Sequence, residues 1–426
     1  MHTTGRAAQA PPPQAPRWAR FIIPADYTLF HVGYLGALPL MPVILRSLLG
    51  PHHSLAVGAV LLVYNAAIGI ACLFAAPVTA RVDARKAMAA GLGCSAAGIG
   101  LLPFAHSAPA AGAALALAGA GMSVHGVMAR SMVAKAVPDD ARRHRIFSSI
   151  QIGVNVAAAI GPLIATSVYA VSGDKAVLWG ACAFYLAGMT LVLARVPAGV
   201  HVVQAASRWP LTSGMLRQLL SPANAQICIA TGAGYFLYAQ FFSAIALLIT
   251  LFVAKGPIQG VLFVENAVLI VGAQAPVSSV VQRLLNRGTH PSAVMLTGMA
   301  MFAFALLVLG VMLALHMPVF SSAAAAIALF SLAETVYAPT VNTAFAQIPA
   351  STPVESFNVQ QTLQTFGQSA GTLVGTSVFL AVAGTGTGSR YWLVLAIAGL
   401  MVAGGTAAVG ASVFRLFRPS SVRRTL

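Results

Sequence analysis

Residues 21–49 read FIIPADYTLFHVGYLGALPLMPVILRSLL and follow a polar, basic leader. The run is long enough to cross a bilayer, which takes about 20 apolar residues. It also carries Asp26, His31 and Tyr34. A carboxylate at the centre of a membrane helix costs roughly 2.5–3.5 kcal/mol on insertion scales, so it marks a functional site by default. Tyr27, His31 and Tyr34 are spaced by four and three residues, which places them on one helix face. Pro39 and Pro42 are expected to bend the helix, because proline removes a backbone hydrogen bond. What the chain is depends on how many other runs resemble this one.

Of 426 residues, 58% are hydrophobic and 8% charged, with mean hydropathy +0.84. A soluble domain carries about 25% charged residues. The composition points to an all-α membrane protein that crosses the bilayer many times. A net charge of +16 would suggest nucleic acid in a soluble protein. Here it belongs to the loops, and no nucleic-acid partner is expected. Cys72, Cys94, Cys182 and Cys228 lie in apolar runs without metal-ligand spacing, so neither a disulfide nor a metal is expected. The first twenty residues are Pro- and Ala-rich and lack an apolar core. They read as a disordered leader rather than a signal peptide.

Twelve apolar runs are predicted transmembrane helices: 21–49, 55–78, 87–105, 109–130, 146–170, 176–195, 224–251, 258–281, 292–315, 318–346, 357–384 and 389–414. Turn residues or charges separate most of them, as at Gly50-Pro51 and Ser172-Gly173-Asp174. One alternate set of loops collects 20 of the 24 Lys and Arg, Arg130 among them. The other set holds Arg46, Lys175, Lys255 and Arg390. The positive-inside rule then puts both termini in the cytoplasm. The longest internal polar stretch splits the chain into parts. These are a leader (1–20), a six-helix bundle (21–195), a cytoplasmic linker (196–223), a second bundle (224–414) and a basic cytoplasmic tail (415–426). GPLIATSVY at 161–169 and GTLVGTSVF at 371–379 occupy matching places in the two halves. Duplicated helical units of this kind build many transporters.

Three acidic residues lie inside spans: Asp26, Glu265 and Glu334. No Lys or Arg is read well inside a span, so these carboxylates lack a fixed counter-ion. Low-dielectric surroundings disfavour a charged carboxylate, which suits such a group to taking up and releasing a proton. The competing reading puts Asp26 at the cytoplasmic interface and makes Glu265 a hydrogen-bonding or snorkelling group. His31 and His125 read as packing residues before relays. Asn155, Gln226 and Gln240 add amides within spans. Gln361, Gln364 and Gln368 form a stripe on span eleven, read as interhelical hydrogen bonding before substrate contact. Gly161-Pro162 is expected to break or bend span five. No nucleophile elbow, zinc-protease motif or Walker loop occurs, so the chain does not read as an enzyme. Transport would draw on a proton gradient, without a cofactor.

The chain resembles the major facilitator superfamily over about residues 21–415, in its twelve spans, two halves and central cytoplasmic loop. Family members carry Gly-x-x-x-Asp-Arg-x-Gly-Arg-Arg between spans two and three. This chain keeps Arg81 and Arg85-Lys86, shifts the acidic residue to Asp83 and lacks the glycines. Gly161-Pro162 is similar to the exporters' span-five motif, which favours antiport. Span four lacks the arginine that many drug antiporters place there. Pro24-Ala25-Asp26-Tyr27, Val264-Glu265-Asn266-Ala267 and Ala333-Glu334 with Pro339 look most like the twelve-span bacterial drug:proton antiporters, the multidrug-resistance exporters.

The resemblance implies two pseudo-symmetric six-helix bundles around a central cavity lined by spans one, four, seven and ten. Asp26, His31, His125, Gln226, Gln240 and Glu334 would lie near it, with Tyr34 and Asn155 as further candidates. Glu265 and the glutamine stripe would flank it. A large apolar cavity with few charges is expected. The implied activity is proton-coupled efflux of small amphipathic compounds across a bacterial inner membrane, by a monomer in lipid. Its partners would be the substrate and protons. The alternative is a superfamily exporter or symporter of a specific metabolite, sugar or metallophore.

Overall fold

A computed structural model describes residues 15–50, 54–79, 82–202, 221–253, 257–348, 353–383 and 388–416. All regular structure among them is helical, and each of the twelve apolar runs coincides with helix. A π-helical turn, Trp18–Ile22, leads into α1 (Ile23–Ala37). A 3-10 turn at Leu38–Leu40 carries Pro39 and joins α1 to α2 (Met41–Leu49), so the first span is split where the prolines stand. Then follow α3 (Ser54–Thr79), α4 (Ala84–Leu101) and α5 (Ala108–Ala136). The next helix, α6 (Asp140–Arg195), has 56 residues and holds spans five and six.

The interruption inside α6 falls at Gly173, with φ 73° and ψ −168°. Only a residue without Cβ adopts that backbone freely. The break expected at Gly161-Pro162 is not found there: Pro162 sits within continuous helix. Its missing hydrogen bond is tolerated because neighbouring helices hold a membrane helix in place. Here α1 packs along α6 at this level.

The second half contains α7 (Pro222–Gln240), a π-helical stretch at Phe241–Ile245 and α8 (Ala246–Phe252), which together form span seven. It continues with α9 (Pro257–Asn286), α10 (Pro291–Ala314), α11 (Val319–Ala346), α12 (Pro353–Ala383) and α13 (Ser389–Leu416). Among the described residues, eight helices are by themselves long and apolar enough to cross a membrane, or nine with the bent first span. The long α6 counts once there but contains two runs. In α3 the apolar section is Ala59–Phe74, and α12 is diluted by its glutamines.

Within the first half α1 runs along α6, and α3 and α4 pack on α5. Within the second, α7 packs on α12, and α10 on α11 and α13. Across the halves α6 meets α9 and α11, while α12 meets α3 and α5. The echoing sequences perform the same task in each half. A Cβ at Gly161 would stand 3.0 Å from Gly36 N on α1. A Cβ at Gly371 would stand 2.4 Å from Phe236 O on α7. Small residues let membrane helices approach this closely.

Gly371→Leu is therefore expected to destabilise the protein by about 1–3 kcal/mol, the usual cost of overpacking. Thermal melting in detergent reads the change. Gly272→Leu is the comparison, because nothing lies within 4 Å of a Cβ there. Equal losses at both positions would show that close helix contact is not what Gly371 provides.

Candidate functional site

A cavity of about 200 Å³ lies between the halves. One part of its wall is aromatic: Tyr27 and Phe30 from α1, Phe147 from α6, Tyr235 and Tyr238 from α7, and Tyr337 from α11. Another part is amide: Gln151 from α6, Asn342 from α11, and Gln360, Gln361, Gln364 and Gln368 from α12. His31, His125, Arg130 and Glu334 add titratable groups, and Ile68, Met122, Ile150, Val154 and Ala338 add apolar surface. The wall is thus more polar than the apolar cavity expected from composition. Helices that look uniformly apolar on average turn several of their polar residues toward the chamber.

Glu334 is 2% exposed and faces the cavity. Gln151 donates a hydrogen bond to its Oε1 at 2.9 Å, and the Tyr238 hydroxyl donates to the same oxygen at 3.4 Å. Its Oε2 is buried without a partner. Gln151 and Glu334 come from different halves, so their bond ties the two bundles at mid-depth.

Asp26 is fully buried and does not reach the interface. His125 Nε2 lies 2.6 Å from its Oδ2, while Oδ1 has no partner. His125 is on the cavity wall and Asp26 is not, so the imidazole stands between the carboxylate and the chamber. Tyr27 and Phe30 pack on the His125 ring at 5.4 and 5.1 Å. The Tyr27 hydroxyl donates to the Gly126 carbonyl at 3.0 Å, and His31 Nδ1 donates to the Tyr27 carbonyl at 2.8 Å.

Arg130 departs from its reading as a loop residue. It lies inside α5, six residues before the helix ends, and is 8% exposed. Its Nε donates to the Gly126 carbonyl at 3.0 Å and its Nη2 to Gln361 Oε1 at 2.7 Å. The guanidinium lies 5.5 Å from the centre of the Phe357 ring. A span does contain a cation, therefore, and setting Arg130 aside leaves the loop charge asymmetry intact.

Gln361 and Gln364 line the cavity, whereas Tyr34, Asn155, Gln226 and Gln240 do not. Gln240 is buried between helices, donating to the Gly371 carbonyl at 3.0 Å and accepting from the Tyr391 hydroxyl at 2.6 Å. Gln226 accepts from Ser292 Oγ at 3.2 Å. Asn155 donates to the Gln151 carbonyl at 2.9 Å, one turn from the Glu334 contact. Tyr34 is half-buried, its ring edge-on to His31 at 6.2 Å. Glu265 is half-buried on α9 and off the wall.

In the loop between α3 and α4, Arg81 lies outside the described residues. Asp83 caps α4, accepting from Arg85 N at 2.7 Å and from Gly199 N. Arg85 Nη1 donates to the Leu193 carbonyl at 3.2 Å, and Lys86 is exposed. These described residues clasp the end of α6 within the first half.

The halves also meet at the end that carries the basic loops. Arg145 donates twice to Gln282 Oε1, at 3.0 and 2.6 Å. Gln347 donates to Asp140, which also pairs with Arg143. Phe147 and Phe357 meet edge to face at 6.3 Å.

Two helical bundles that clasp at one end and hold a polar chamber at mid-depth describe a membrane carrier. The family model of the Major Facilitator Superfamily matches residues 27–376, and the chain belongs to that superfamily. It is thus a multi-pass membrane transporter of small molecules rather than an enzyme, in a family that generally needs no cofactor. The crystal structure of the human organic anion transporter MFSD10 (TETRAN) is similar at TM-score 0.63 and 19% identity, over 95% of this chain and 100% of that one. The proton:xylose symporter XylE bound to 6-bromo-6-deoxy-D-glucose is similar at TM-score 0.67 and 13% identity, over 92% and 96%. At these identities the likeness concerns the fold. No curated protein sequence matches the chain significantly.

Proposed function

We propose that the protein is a proton-coupled exporter of small amphipathic compounds, acting by alternating access as a monomer in a bacterial inner membrane. The observation that carries this reading is the Gln151–Glu334 bond between halves. A hydrogen bond to a charged carboxylate is roughly twice as strong as one to a neutral group. Protonating Glu334 weakens the tie, so a proton on this side chain favours rearrangement of the bundles. Deprotonation restores the tie and readies the cavity for substrate. Asp26, reached through His125, is a second proton-holding carboxylate in the first half. The units that move are residues 21–195 and 224–414, joined by the 196–223 linker.

With the basic loops in the cytoplasm, the clasped end is the inner one. A reporter active only in the cytoplasm is expected to be silent when fused at Asp174. Activity there would reverse the orientation. Coupling is tested with purified protein in vesicles containing a pH dye, over a compound panel. Substrate entry should drive proton exit. Flux without proton movement removes coupling, and proton movement in the same direction makes the protein a symporter. The amide-rich wall favours one second reading, a transporter dedicated to a single metabolite, since placed polar groups fix ligand orientation.

A further inference from the structure

The cavity wall holds a cation that the proton chemistry does not use. Among the described residues, no carboxylate comes within 4.0 Å of the Arg130 guanidinium. The Gly126 carbonyl, Gln361 and the Phe357 ring aim it. None of these neutralises it, and Nη1 bonds to no acceptor among the described residues. A buried charge without a counter-ion is costly, and a planar fork of donors matches a carboxylate. An anion can reach it through the cavity that Arg130 lines.

We infer that the substrate is an organic monoanion whose carboxylate seats on Arg130, with its apolar part against Tyr27, Phe147 and Tyr235. Glu334 on the same wall repels a second negative group. This rests on the cavity being the substrate site and adds the charge of what it takes.

The test is thermal melting of the full-length protein in detergent with benzoate, benzyl alcohol or benzylammonium, each against sodium chloride at equal ionic strength. Benzoate should raise the melting temperature saturably, and the other two should not. Arg130→Gln should weaken the apparent benzoate affinity at least about tenfold, as loss of a charge-assisted bond does, and Arg130→Lys should weaken it less. Equal shifts from the neutral or cationic probe, no shift from any probe, or an unchanged Arg130→Gln response would each overturn the inference. So would an equal shift from chloride alone, which would mark an inorganic anion site. If Arg130→Gln does not fold, the ranking of probes on the wild type decides. Binding needs no proton flux. Benzoate binding without coupled transport would remove the exporter reading alone, and coupled transport without anion selectivity would remove this one alone.

Discussion

Glu334→Gln is expected to reduce uphill export to background while leaving exchange of substrate down its own gradient. The amide is close in size to the carboxylate and keeps an oxygen where Gln151 donates. It mimics the protonated side chain in charge but cannot release a proton. The bundles can still exchange, because the charged tie is gone, yet each turn no longer carries a proton. Asp26→Asn should act alike in the first half, since Asp26 is the other buried carboxylate with an unpartnered oxygen. Glu265→Gln is the comparison and should retain coupled export, being half-buried and off the cavity wall. The measurement is proton-driven uptake into inverted vesicles, beside substrate exchange, at matched expression. Full uphill transport by both Glu334→Gln and Asp26→Asn would end the two-carboxylate proposal. Failure of Glu265→Gln alone would route the proton through α9.

Much of the fold was legible because a bilayer forces every backbone polar group to be satisfied within helices. Hydropathy and turn residues therefore marked where helices lie, and the GPLIATSVY and GTLVGTSVF stretches showed where the halves repeat. Asp26 and Glu334 stood out because carboxylates in spans are rare. His125 was placed near the cavity but read as packing before relay, because its partner lies 99 residues away and nothing local links them. Arg130 was misplaced for another reason. A basic residue near a helix end usually snorkels to the interface, and sequence spacing does not say which way it turns. The same ambiguity separates Gln361 from Gln240. Both are amides in apolar helices, and only the helix's rotation decides which faces the chamber. In span seven that phase is shifted by the π-helical stretch at Phe241–Ile245, immediately after Gln240. Gly161-Pro162 misled because the local rule for proline assumes a helix without neighbours.

His125→Ala is expected to cost about 1–3 kcal/mol of stability, the usual penalty for leaving a buried hydrogen-bonding group without its partner. The imidazole supplies the hydrogen bond recorded at Asp26 Oδ2, and Oδ1 already lacks one. Without it the carboxylate is left buried with neither oxygen satisfied. The loss should therefore depend on the charge of residue 26 more than on the cavity left by the ring. Adding Asp26→Asn to His125→Ala tests this, because the amide removes the stranded charge and keeps the shape. The double variant should melt above the His125→Ala single variant, an interaction of the sign that coupled neighbours show. If the two changes simply add, the ring acts as packing against Tyr27 and Phe30, and Asp26 is held by something other than His125. His125→Gln separates the cases further. It keeps a donor but loses the aromatic face, so it should recover stability if the hydrogen bond matters and fail to if the stacking does.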